Sequence, residues 1–104
     1  HCSQCMKTHG NFGSYTSCDE NNIIFIKKTT LKWFNSSKIA KRGFCTNCGA
    51  SFFYKKLNTS EISIAAGMLK NPTKLNTKAN IFTKGKMDYY KLDSKLTKFL
   101  KYVI

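Results

Sequence analysis

A chain of 104 residues with 18 Lys+Arg against 5 Asp+Glu, a formal charge of +13, has the length of one small domain with a core of limited area. So few carboxylates exclude the paired-carboxylate chemistry of glycosidases and aspartic proteases, and neither a Gly-rich phosphate loop nor a Ser-His-Asp order is present. No apolar run reaches the ~18 to 20 residues of a membrane span and residues 1–10 lack the apolar stretch of a signal peptide, so the expected address is the cytoplasm.

Cys2 and Cys5 open the chain as a knuckle that leads into a short turn or helix ending near Gly10. Phe12, Ser14, Thr16 and Cys18 alternate with Gly13, Tyr15 and Ser17, which predicts a strand, and Asp19-Glu20-Asn21-Asn22 predicts a turn. The apolar run Ile23 to Ile26 predicts a second strand, with Thr30, Leu31 and Trp33 as its hairpin partner, broken by Asn35-Ser36-Ser37. A second knuckle spans Cys45 to Gly49. Strands are then expected over Phe52 to Tyr54 and Glu61 to Ala66, a stiff connection between Gly67 and Pro72, and strand-like pieces at Ile81-Phe82 and Tyr89-Tyr90. Residues 95–104 fit a short helix or an extended tail. The pattern is that of a single all-β domain, with no repeat beyond the two knuckles and no linker.

Five cysteines, an odd number with two pairs in Cys-x-x-Cys spacing, point to reduced metal ligands rather than a disulfide framework. A two-residue gap lets one tight turn aim two sulfurs at a single ion, and Gly49 supplies a residue free to take positive φ after Cys48. By spacing alone, Cys2, Cys5, Cys45 and Cys48 bind one structural zinc. Cys18 stands in a strand pattern outside both pairs, a buried unliganded thiol.

The positive charge is nearly all lysine, scattered from Lys7 to Lys101, with Arg42 the one arginine, whereas phosphate and base recognition favours the guanidinium fork. Nucleic-acid binding is therefore the lesser expectation. His1 and His9 flank the first knuckle as packing or solvated side chains, with a role as proton carrier in second place. The aromatics Phe12, Tyr15, Trp33, Phe44, Phe52, Phe53 and Tyr54 are expected to supply core.

Read together and in order, His1-Cys2-Ser3-Gln4-Cys5, Arg42-Gly43-Phe44-Cys45-Thr46-Asn47-Cys48-Gly49 and Ala66-Gly67-Met68-Leu69-Lys70-Asn71-Pro72 resemble the glutathione-dependent formaldehyde-activating enzyme family, which also includes centromere protein V. The similarity continues through Asn80-Ile81-Phe82 and Lys86 to Leu92. The resemblance implies an all-β fold of the β-tent type with two separate zinc sites: an open, catalytic one using Cys2 and Cys5, and a closed, structural one using Cys45 and Cys48. In the family pattern one further cysteine would fall just before His1 and a Cys-x-Cys hairpin further upstream, so the chain resembles a member lacking that N-terminal segment. Lys70, Asn80 and Tyr89 stand where aspartate, histidine and tryptophan are common. The activity implied is of the zinc-dependent carbon-sulfur lyase type, joining glutathione and formaldehyde as S-hydroxymethylglutathione, with Arg42 a candidate for a glutathione carboxylate. The competing function is a zinc-braced interaction module that meets nucleic acid or an acidic partner through its lysines.

Overall fold

A computed structural model describes residues 1–101. The chain forms two compact units, one of residues 14–70 and the other of residues 1–13 with those from 71 onward. The fold is all-β with short helical turns, as expected.

The first unit is a five-stranded antiparallel sheet of β1 (Tyr15–Asp19), β2 (Leu31–Phe34), β3 (Ala40–Cys45), β4 (Ser51–Lys56) and β5 (Glu61–Ala65). Its spatial order is β1-β5-β4-β3-β2. Phe53, Ile62, Ala40 and Ala65 are its buried apolar residues. Trp33 and Phe53 both stand opposite Gly43 in register, and their rings stack at 5.7 Å across it. A Cβ on Gly43 would lie 3.1 Å from Leu31, Trp33 and Phe53 alike, so glycine is what lets the aromatic pair close over β3. Just beyond, the β3–β4 register shifts between Gly43 and Phe44, a bulge that bends the strand end where Cys45 sits.

Two strand expectations in this unit are corrected. Residues 23–26 form no strand: β2 pairs with β3, and Ile24 and Ile26 are 88% and 96% exposed. An apolar run rich in β-branched residues has strand propensity without a partner to satisfy its backbone; Ile23 is half-buried, and Phe25, though exposed, meets Phe53 edge-on at 5.9 Å. The true partner, Ala40 to Cys45, has Lys41, Arg42 and Gly43 at its centre and no apolar alternation. Asp19 caps a 3-10 turn over Glu20–Asn22 with its carboxylate on the Asn21 N–H at 2.9 Å, as the turn chemistry predicted.

The second unit starts with α1 (Ser3–His9), stopped by Gly10 at φ +74, with Met6 as its buried face. β6 (Ala79–Asn80) pairs in parallel with β7 (Thr97–Lys98). Ile81-Phe82 and Tyr89-Tyr90 are not strands. Phe82, at φ +52, instead caps a 3-10 turn over Thr83–Gly85. Of the expected helix or tail at 95–104, the described part carries β7 and no helix, while residues 102–104 lie outside the described residues. No helix among the described residues is long and apolar enough to cross a membrane.

Candidate metal centre

Cys45 ends β3, and the chain turns back on itself within four residues. Gly49, at φ +76, donates its N–H to the Cys45 carbonyl at 2.7 Å, and Cys45 N–H donates to Ala50 at 3.0 Å. This tight turn aims amides at sulfur. The Thr30 hydroxyl lies 3.5 Å from Cys45 Sγ, held there because Thr46 N–H bonds the Thr30 carbonyl at 2.8 Å. The thiol donates to that hydroxyl, which can turn to donate to the thiolate; this partner first, then the Cys48 and Asn47 N–H groups, brings the Cys45 thiol from its usual 9.0 down to about 7. Cys48 sits exposed in the same turn.

The first pair is built on a helix start. Cys2 is the N-cap of α1, and its sulfur accepts the Cys5 N–H at 3.3 Å, the bond a serine or threonine cap would make. Capping position and third helical residue share one turn, so both sulfurs belong to the same end of α1.

His1 fixes the approach to this turn. It is only 8% exposed, with Phe12 and Tyr90 rings at 4.8 and 5.5 Å. Its Nε2 meets Asn80 Oδ1 at 2.8 Å, which assigns the proton to that nitrogen, and its Nδ1 accepts from the Tyr90 hydroxyl at 2.7 Å. Burial raises the Tyr90 phenol, which keeps that hydroxyl a donor. The backbone nitrogen of His1 adds a bond to Ile81 O at 3.0 Å. His1 is thus a packing histidine, as expected, but one whose partners are specific.

A groove of about 280 Å³ opens beside Cys2. Phe82, Lys84 and Gly85 from the 3-10 turn line it, with Leu100 and Lys101 from the segment after β7. Gly85 is there because the knuckle comes close: a Cβ would stand 3.1 Å from His1 O and 3.5 Å from Cys2 Cα.

Of the remaining candidates, His9 ends α1, while Cys18 and Arg42 lie in the five-stranded unit. Cys18 stands in β1 opposite Ile62, half-buried and with its thiol free. Arg42 lies in β3, 7% exposed, its guanidinium 5.0 Å over the Tyr54 ring of the next strand. Among the described residues no group of three or more His, Cys, Asp or Glu side chains gathers at one point. The donor chemistry fits zinc, since each Cys-x-x-Cys turn carries two thiols and directs backbone N–H groups at one of them, Cys2 in the first and Cys45 in the second. Each pair supplies half of a tetrahedral set. Thr30, Asn80 and Tyr90 were missed by sequence reasoning, because their partners lie 15, 79 and 89 residues away along the chain.

Comparison with protein-family models matches residues 1–85 to the glutathione-dependent formaldehyde-activating enzyme family. Both cysteine pairs fall inside that span. No curated protein matches the chain significantly.

Proposed function

The chain belongs to the glutathione-dependent formaldehyde-activating enzyme family, and we propose on that premise that it is a zinc-dependent carbon-sulfur lyase-type protein acting on glutathione and formaldehyde. In the forward direction the glutathione sulfur bonds to the formaldehyde carbon and the thiol proton passes to the carbonyl oxygen, giving S-hydroxymethylglutathione. Atoms balance with no further reactant. The observation that carries the reading is that both Cys-x-x-Cys turns lie within the matched span and direct N–H groups at sulfur.

Cys2 and Cys5 are assigned to the working site and Cys45 and Cys48 to a bracing one. Zinc held by Cys2 and Cys5 would supply Lewis acidity and favour the thiolate form of a substrate thiol. The chain's own contribution at that site is position: the His1 anchor and the α1 cap fix where the Cys2 and Cys5 sulfurs stand. Arg42 is assigned a glutathione carboxylate, which its fork matches in two parallel hydrogen bonds. Lysine does not reproduce that fork, so Arg42→Lys should weaken glutathione binding, and an unchanged affinity would remove Arg42 from the binding role.

The adduct also forms spontaneously, so the test is the exchange rate between glutathione and S-hydroxymethylglutathione, followed by NMR with and without protein. Acceleration by the zinc-loaded protein, lost in Cys5→Ser, supports the reading. A rate equal to background in the zinc-loaded native protein sinks it.

A further inference from the structure

β1 and β2 are the two edges of the five-stranded sheet, so residues 20–30 carry the chain from one edge to the other. Three anchors hold this strap. At its start Glu20 N–H bonds Ser60 O at 2.7 Å, and the Glu20 carboxylate meets Lys55 Nζ of β4 at 3.1 Å. At its middle the Phe25 ring stands edge-on to Phe53 of β4, the central strand, at 5.9 Å. At its end Leu31 N–H bonds Lys28 O at 3.2 Å and Thr46 N–H bonds Thr30 O at 2.8 Å.

The side chains of the strap divide accordingly. Ile23 is half-buried and Phe25 has its partner on the sheet, whereas Ile24 and Ile26 are 88% and 96% exposed. Two aliphatic side chains thus stand almost wholly in water on a pinned segment. Lys27 and Lys28 follow directly, with Lys28 Nζ 5.5 Å from the centre of the Phe25 ring. From Asn21 to Ser60 the sequence holds eight cationic side chains and no Asp or Glu. The carboxylate that precedes this stretch, Glu20, is already paired with Lys55.

Shape and charge decide between partners. Protein interfaces favour aromatic and arginine anchors seated in fitted pockets and are depleted in lysine, the reverse of two protruding isoleucines beside lysines. Nucleic acid would satisfy the lysines and leave the isoleucines in water. A second copy of the chain would set like charge against like. An anionic bilayer takes both groups at once: the acyl boundary receives protruding aliphatic side chains, and the headgroups receive the ammonium groups beside them.

We propose that this strap is a peripheral docking site for an anionic phospholipid surface, with Ile24 and Ile26 at the acyl boundary and Lys27 and Lys28 on the headgroups. Neither cysteine pair takes part, so the proposal is independent of the zinc chemistry above.

Sedimentation of the full chain with vesicles of phosphatidylcholine, alone or mixed with phosphatidylserine, tests it at physiological ionic strength. Three double variants are compared with native protein: Ile24→Ser/Ile26→Ser, Lys27→Gln/Lys28→Gln, and Lys78→Gln/Lys91→Gln as a charge-matched control outside the five-stranded unit. Undisturbed amide spectra certify their folds. Native protein should bind the mixed vesicles and not phosphatidylcholine alone. The isoleucine variant should bind at least about tenfold more weakly, the scale of burying aliphatic side chains. The strap lysine variant should lose about fivefold per lysine, and the control should stay within about twofold of native, since charges beyond the screening length contribute little. A nitroxide-labelled lipid should broaden the amides of residues 23–28 first. Absence of native binding overturns the proposal. Binding kept in the isoleucine variant, or lost equally in the control, also overturns it, because either would mean adsorption by net charge alone.

Discussion

The Thr30 hydroxyl beside Cys45 and the N–H groups of the turn that follows favour its thiolate and bring the thiol from 9.0 down to about 7, so that it ionises across neutral pH. In the reduced, metal-free protein its alkylation by iodoacetamide should rise with pH through about 7. Thr30→Val should move that rise upward, toward the ordinary thiol value; an unchanged profile would show that the hydroxyl does nothing. The sign for stability follows from a folded value below the unfolded one. The thiolate's contribution is full above the usual 9.0 and is lost as pH falls through about 7, and zinc affinity of this pair should fall in the same direction. At the other pair, Tyr90→Phe removes the donor to His1 Nδ1 and leaves a buried acceptor unmet, for a loss of about 1 to 2 kcal/mol in denaturant unfolding. A stability equal to native would remove His1 from the role of anchor.

Gly43 and Gly85 mark where elements approach most closely. Gly43→Ala pushes a methyl into the Trp33–Phe53 stack from three sides at 3.1 Å and should cost about 1 to 3 kcal/mol, measured by thermal unfolding. Gly85→Ala meets backbone rather than flexible side chain, so the 3-10 turn or the knuckle must shift. Strands with alternating or aromatic patterning were legible in the sequence, as at Ser51–Lys56 and Glu61–Ala65. β3 was not, because its core-facing centre is a glycine whose place is filled by rings from both neighbours. Residues 23–26 misled for the opposite reason, since apolar β-branched residues signal a strand whether or not a partner strand is present. The cysteine pairs were legible because ligand spacing is local. Their supports, Thr30 and the His1 cluster, depend on contacts that only the folded chain makes.

At the scale of the whole molecule the charge of +13 and the two cysteine pairs make separate demands on an experiment. Lysine-dominated charge predicts weak association with random DNA that falls steeply with salt, readable by fluorescence anisotropy between low and physiological ionic strength. Sequence-selective binding that survives physiological salt would instead favour the interaction-module function over the enzymatic one. The central claim is that Cys2 and Cys5 belong to a working zinc site and Cys45 and Cys48 to a bracing one. Zinc content, unfolding temperature and adduct exchange measured together on native protein, Cys5→Ser and Cys45→Ser test it most directly. The account predicts that each substitution removes only part of the bound zinc: Cys5→Ser loses exchange activity with most stability kept, and Cys45→Ser loses stability first. Loss of all zinc from either substitution alone would mean one ion shared by both pairs, and would contradict the two-site account.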